Sequence, residues 1–400
     1  MILVRSLLAF LVILLFISNT GCWDLREIEE LNLELSAGFD YDEEEELITY
    51  TALTGRPSGM VGGEEAVPGI SPVTINHSTG KTLFEASKNF AARSPRRLFQ
   101  SHIRNFIIGE EMAKNRISEL ADFIIREREH RMTPWIFVTG VTAGEILRAE
   151  SEGEPTLAEE IDGIMETLLP LSTSPRITVK DFLISFNKPG EDAFAPVIKI
   201  REEEEPPEED LFTDNPESET KRFIVVEGTA VFSRDKLAGY LTVPETKGLL
   251  WTRGEVIRAN IIPVPPDKGQ VSVQIIRGGA ELNPEFKDDK LKIEVQVETE
   301  GDITASNIKK DITDTKVIRE LEMSLANMIK QEVLLSVAKS QEYNSDFLSF
   351  GAAFRRENPD RWAEIKEDWR EKHLSQVEVD VRVKAKLRRK GMISESIMVE

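Results

Sequence analysis

Cys22 is the only cysteine among 400 residues, so it has no partner for an intramolecular disulfide. It follows Gly21 and lies five residues beyond an unbroken apolar run, Leu7 to Ile17. A thiol so placed has one obvious chemistry. After cleavage of the leader it becomes the first residue and carries a diacylglycerol. The competing assignment is an uncleaved membrane helix with an incidental cysteine. Eleven apolar residues suit a signal core of roughly 7 to 15 and fall short of the ~20 a span needs. Asn19 departs from the leucine usual three places before such a cysteine, whereas Gly21 fits. The expectation is a leader over 1–21 and a lipid on Cys22.

No other residue set offers comparable chemistry. The four histidines, His77, His102, His130 and His373, do not pair at metal-ligand spacing, so no metal is expected. Gly80-Lys81-Thr82 resembles the end of a phosphate loop, but Ile75 occupies the place of its first glycine. Thr82 is explained as a helix cap. There is no G-x-S-x-G and no dinucleotide fingerprint. With 71 acids, no carboxylate pair is diagnostic. Neither an enzymatic activity nor a cofactor is expected. Without residues 1–21, whose one charge is Arg5, the net charge moves from −21 to −22. That surface excludes nucleic acid as a partner. Anionic lipid would repel it as a whole, so the surface alone is not expected to hold it to a membrane; a covalent anchor is consistent with that.

The elements that must position these residues read as α+β and multi-domain. Asp24 and Glu27 are read as the cap of a short helix through Leu31. Leu33–Phe39 and Leu47–Leu53 read as strands joined by the acidic turn at Tyr41–Glu46, and Gly55–Pro72 as a loop. Capping boxes at Thr82 and Thr142 open helices. The first carries an apolar stripe of Leu83, Ala86, Phe90 and Ala91. Leu98–Ile108, carrying His102, and Trp135–Val141 have strand composition. Ile117, Leu120, Ala121, Ile124 and Ile125 form a helical stripe. This alternation allows a mixed sheet with helices on it. Glu202–Asp210 packs seven acids and two prolines into nine residues, which marks a solvated linker or excursion. Beyond it, Phe223–Thr242 reads as a hairpin turning at Arg234-Asp235-Lys236. Val271–Ile275, Leu291–Val297 and Val377–Val383 alternate strictly, as antiparallel strands with one wet face do. A helix near Asp314–Lys339 would run about 40 Å and cross a sheet face. Trp362 and Trp369, seven apart, would share a helical face as packing anchors. The expected architecture is a mixed α/β N-terminal region over 22–201, an acidic linker or excursion over 202–222, and a C-terminal antiparallel sheet packed with a long helix over 223–400. The N-terminal region has room for two subdomains.

Several motifs together carry a resemblance. Gly21-Cys22-Trp23-Asp24 with Arg26, Glu27 and Ile28 is similar to the mature start of the Ger(x)C spore-germination lipoproteins. Gly80-Lys81-Thr82 with Glu85-Ala86, Leu98, His102, Ile107–Glu111, Asp122-Phe123, Arg126 and the Arg131 region follow in the family's order. So do Glu227–Phe232, Lys236–Leu241, Asp346-Phe347, Phe350-Gly351, Pro359, Trp362 and Trp369. The resemblance implies a three-domain α+β protein with no known enzymatic activity. It implies the C subunit of a germinant receptor, lipid-anchored on the outer face of the spore inner membrane. Its partners would be an A subunit and a transporter-like B subunit, both embedded in the membrane. His102, Arg126 and Arg131 match family positions, either as interface residues or as residues satisfying local carbonyls and carboxylates. A second function class is a lipid-anchored ligand-binding protein serving a membrane transporter. It would require two comparable α/β lobes around a cleft.

Overall fold

The computed structural model describes residues 5–6, 30–55, 73–92, 94–168, 171–204, 220–256, 260–261, 271–287, 290–306, 308 and 314–389. Strands β1 (Leu31–Asp42), β2 (Leu47–Gly55) and β3 (Val73–Gly80) form an antiparallel meander. Asp42 closes the first turn by accepting from the amides of Glu44 and Glu45. Helix α1 (Leu83–Asn89), the short β4 (Arg97–Phe99) and β5 (Asn105–Gly109) follow. Next come α2 (Glu110–Asn115), α3 (Ile117–Arg126), β6 (Trp135–Thr139), α4 (Ala143–Leu147), α5 (Leu157–Thr167), α6 (Val179–Asn187) and β7 (Phe194–Glu204).

β1, β5, β6 and β7 lie parallel at the centre of a nine-stranded sheet. Parallel central strands need cover on both faces, which is why β5 reads as a continuous apolar run. Phe106 and Ile108 pack on one face with α1, α3 and α6. Ile107, between them, packs on the other face with α4 and α5. The sheet continues through β8 (Thr220–Ser233) and β9 (Lys236–Leu241), both antiparallel. β7 and β8 pair out to Glu204 and Thr220, so the chain between them leaves and rejoins neighbouring strands.

Helix α7 (Val243–Arg253) leads to the second sheet, β10 (Asn260–Ile261), β11 (Val271–Lys287), β12 (Lys290–Ser306) and β13 (Glu378–Arg389). Helix α8 (Thr315–Glu342), capped by Asp314, lays Leu321, Leu325, Ile329, Val333 and Val337 into the same core as Val273, Ile293, Val295 and Val381. α9 (Phe350–Glu357) and α10 (Pro359–Ile365) follow, with Phe354 of α9 packed edge-on against Phe286 of β11. Gly248 of α7 sits so close to α8 that a Cβ there would come within 2.0 Å of the Glu332 carbonyl oxygen.

Several expectations need correction. Asp24 and Glu27 lie outside the described residues, as does nearly all of the Gly55–Pro72 loop, and Leu31 opens a strand. The Leu98–Ile108 strand is two pieces, β4 and β5, separated by a 3₁₀ turn at Gln100–His102. β1 bulges between Glu34 and Ser36, and the two short strands pair with it on either side of that bulge. Ala91 and Ile125 are exposed. The second sheet is antiparallel over β10–β12, but β13 joins β12 in parallel. The long helix returns the chain to the end of the sheet where β12 began, and a crossover of this kind delivers a parallel strand. Trp362 and Trp369 do not share one helix, because α10 ends at Ile365 and Trp369 opens a π turn; their rings nevertheless pack 5.2 Å apart.

The β7–β8 pairing makes a specific prediction for limited proteolysis. A Glu-specific protease should cut first between Glu205 and Asp210, where acids and prolines disfavour burial. The nicked chain should still elute as one body in native size exclusion and separate only in denaturant. First cleavage within Phe223–Thr242, or two native peaks, would contradict this pairing.

Candidate functional site

The densest polar constellation among the described residues lies where the two halves meet. After α6, Gly190 (φ +78°) turns the chain toward β7, and its carbonyl accepts from Ala352 of α9 at 2.8 Å. A Cβ at Gly190 would meet the Gly351 backbone at 2.6 Å, so this approach requires glycine. Asp192 follows. Its amide donates to the Asp346 carbonyl at 3.1 Å, and the Asp346 amide donates to the Asp192 carboxylate at 2.8 Å. Asp192 also accepts from Arg370 Nε and Nη2, both at 2.8 Å, and from the Arg234 amide in the β8–β9 turn at 3.0 Å.

Asp346 is fully buried and makes no ion pair with a described residue. It accepts from the Phe350 and Gly351 amides at 2.8 and 2.6 Å and from the Trp369 indole at 2.8 Å. It thereby satisfies two orphan amides in the first turn of α9. Burial, with the neighbouring Asp192 anion, pushes its carboxyl up to about 8 against those donors. Beside it, Glu191 accepts from Ser185, Lys188 and Arg253 at 2.9, 2.5 and 3.2 Å. Burial works to raise Glu191, yet Lys188, Arg253 and Ser185 hold it below the ordinary carboxylate value. Arg253 reaches on to Ser349 Oγ at 2.9 Å and lies 4.9 Å over the Phe194 ring.

A second buried group lies under the start of β1. Tyr50 donates to Glu34 Oε1 at 2.6 Å, and Gln100 Nε2 donates to the Tyr50 hydroxyl at 2.8 Å. The other Glu34 oxygen finds no hydrogen-bond partner among the described residues. Burial pushes Glu34 up to about 8. His130, edge-on to Phe106 and Phe123, is pushed down to about 4 by burial, so it is neutral at physiological pH.

Neither buried acid lines either of two surface grooves, of about 470 and 250 Å³. No group of three His, Cys, Asp or Glu among the described residues is placed to hold a metal. No described helix is long and apolar enough to cross a membrane. The chemistry this arrangement performs is charge compensation that fixes one segment against another.

Cys22 lies outside the described residues. His102 is exposed on the 3₁₀ turn, 5.5 Å from the Phe99 ring, not on a strand. Arg126 is exposed at the end of α3 and pairs with Asp122 one turn earlier at 2.6 Å. Arg131 is exposed on the following loop. None of the three belongs to the buried junction. Sequence reading missed Asp192, Glu191, Arg253 and Arg370, which are unremarkable among so many charges. Asp346 and Phe350-Gly351 were visible only as motif positions, and Trp369 as a motif position and a packing anchor.

Two substitutions probe these clusters. Arg370→Ala leaves the Asp192 anion buried beside Asp346, and should cost about 3 kcal/mol or more in chemical denaturation. Glu34 binds a proton in the native state that the unfolded chain releases above its ordinary 4.5. Its contribution is therefore fully present below that value and is lost as pH rises toward 8, with a slope of up to about 1.4 kcal/mol per pH unit. Glu34→Gln should flatten stability over that window. An unchanged slope would show that Glu34 is ionised in the fold.

Comparison with known proteins bears on both halves. The family model described as "Spore germination protein N-terminal domain" matches residues 24–200. That described as "Spore germination B3/ GerAC like, C-terminal" matches 227–391. Spore germination protein KC of Bacillus subtilis (strain 168) is 25% identical over 98% of both chains. Spore germination protein B3 of the same organism is 22% identical, covering 88% of this chain and 89% of its own. The crystal structure of the GerBC protein shares the fold, with a TM-score of 0.54 at 18% identity over 88% of this chain and 96% of that one. With both domains matched in order, the chain belongs to the Ger(x)C, or GerAC-like, family of spore germination proteins.

Proposed function

We propose that this chain is the lipid-anchored C subunit of a spore germinant receptor. It is held by Cys22 on the outer face of the spore inner membrane and acts with membrane-embedded A and B subunits in nutrient-triggered germination. It binds its neighbours through its folded surface and turns over no substrate. The observation that carries the reading is the Asp192–Asp346–Arg370 junction, which ties the two matched domains into one body. A body with its strongest polar contacts inside suits a scaffold or relay better than a catalyst. The reading as a transporter's ligand-binding protein needs two like lobes. Here one sheet runs through both matched regions, and the second sheet has a different topology. An anchor confines the protein to a plane and raises the effective concentration of membrane partners without new contacts.

The test is purification of the tagged full-length chain from spore membranes. Mass spectrometry should find the N-terminus at a diacylglyceryl-modified Cys22, with two multi-spanning proteins co-purifying. Cys22→Ala should remain folded but leave the membrane fraction. An unmodified Cys22, or a purified chain that hydrolyses peptidoglycan or a nucleotide, would overturn the reading.

A further inference from the structure

The residues around the start of β1 form a corner with an unusual charge arrangement for so acidic a chain. Leu31 and Asn32 pair with Arg97 and Leu98, and the Asn32 side chain donates to Ser94. The loop after α3 packs on the same corner, since Ser101 Oγ donates to the Glu129 carbonyl and Arg97 pairs with the Glu129 carboxylate. In that loop acids and arginines alternate from Arg126 to Glu129. The fold sorts them by face. Glu127 and Glu129 are half-buried, with Glu129 accepting from the Gln100 amide. Arg126, Arg128 and Arg131 are exposed. The guanidinium groups of Arg96, Arg128 and Arg131 make no ion pair or hydrogen bond with a described residue. Ile125, beside them at the end of α3, is 55% exposed.

This corner is also where the chain departs toward Cys22. Leu31 is nine residues beyond that cysteine, so the corner stays within about 30 Å of the sulfur however the intervening chain runs. We propose that Arg96, Arg128 and Arg131 form a docking surface for anionic phospholipid head groups, which sets the orientation of the anchored protein on its membrane. The orienting role rests on the anchored reading given above. The net charge of −21 does not forbid it, because at physiological salt fields fade over about 8 Å. At this corner Glu129 and Asp122 are already paired with Arg97 and Arg126, so a membrane there meets three arginines against Glu30 and the half-buried Glu127. Guanidinium groups suit the purpose, since each can hold a phosphate through two parallel donors. Arg126, already paired with Asp122, contributes less.

The experiment uses the chain from Trp23, which keeps every described element from Glu30 onward. It is sedimented with phosphatidylcholine vesicles, with or without one third phosphatidylglycerol. Binding to the anionic vesicles should exceed binding to neutral ones and vanish at high salt. Each arginine contributes about fivefold, so the R96A/R128A/R131A variant should bind about a hundredfold more weakly. The corresponding triple lysine variant should retain most of the binding, which separates lost charge from lost fold. Equal sedimentation with both vesicle types, or a triple alanine variant that binds like the parent, overturns the proposal. So does a triple alanine variant that loses co-purifying receptor subunits when the parent chain shows no preference for anionic vesicles; the arginines then face a protein. Because this chain lacks Cys22, a failure here is distinguishable from a failure of lipidation.

Discussion

Two aspartates held against each other inside a protein are a demanding arrangement. Asp192 and Asp346 exchange backbone and side-chain hydrogen bonds, and each carboxylate is out of water. Taking a carboxylate into the interior costs several kcal/mol unless donors surround it. Here the donors come from three places far apart in the sequence: the β8–β9 turn at Arg234, the first turn of α9, and the adjacent Trp369 and Arg370. None of those segments can shift without stranding a charge. Gly190, and the left-handed turns at Asn344 and Ser349, are the backbone conformations that let these segments approach.

The two regions matched by family models are therefore not two bodies in space. The nine-stranded sheet takes β7 from the first region and β8 and β9 mostly from the second. One apolar core extends from Phe39 and Phe106 through Phe232 to Leu325 and Val381. Apolar packing supplies the bulk of the cohesion, while the aspartate cluster fixes which surfaces meet. A disturbance at one end of such a body is transmitted as rigid displacement.

Much of the architecture was legible because it is periodic. Val271–Ile275 and Leu291–Val297 alternate, and their burial alternates with them. The helix expected near Asp314–Lys339 is α8, which runs on to Glu342. Thr142 formed its capping box as written, whereas Glu85 turned to the Lys81 amide instead of Thr82. The errors came where tertiary contacts override local pattern. Gln100 is drawn inward to Tyr50 and Glu34, and that breaks an otherwise plausible strand at His102. The direction of β13 depends on where α8 ends, which no local alternation encodes. The junction was unreadable for a similar reason: nothing in the neighbourhood of Asp192 distinguishes it from dozens of solvated acids, because its partners lie 154 and 178 residues away.

The placement of β13 has a consequence for biosynthesis. It is the last described strand to leave the ribosome, and it seals the open flank of β12. A nascent chain that stops short of Val377 would carry β12 with unsatisfied amides and carbonyls along its length. Exposed edges of this kind recruit other chains. Incomplete translation products of this protein are thus built to be sticky, and cells that make it have reason to clear them quickly.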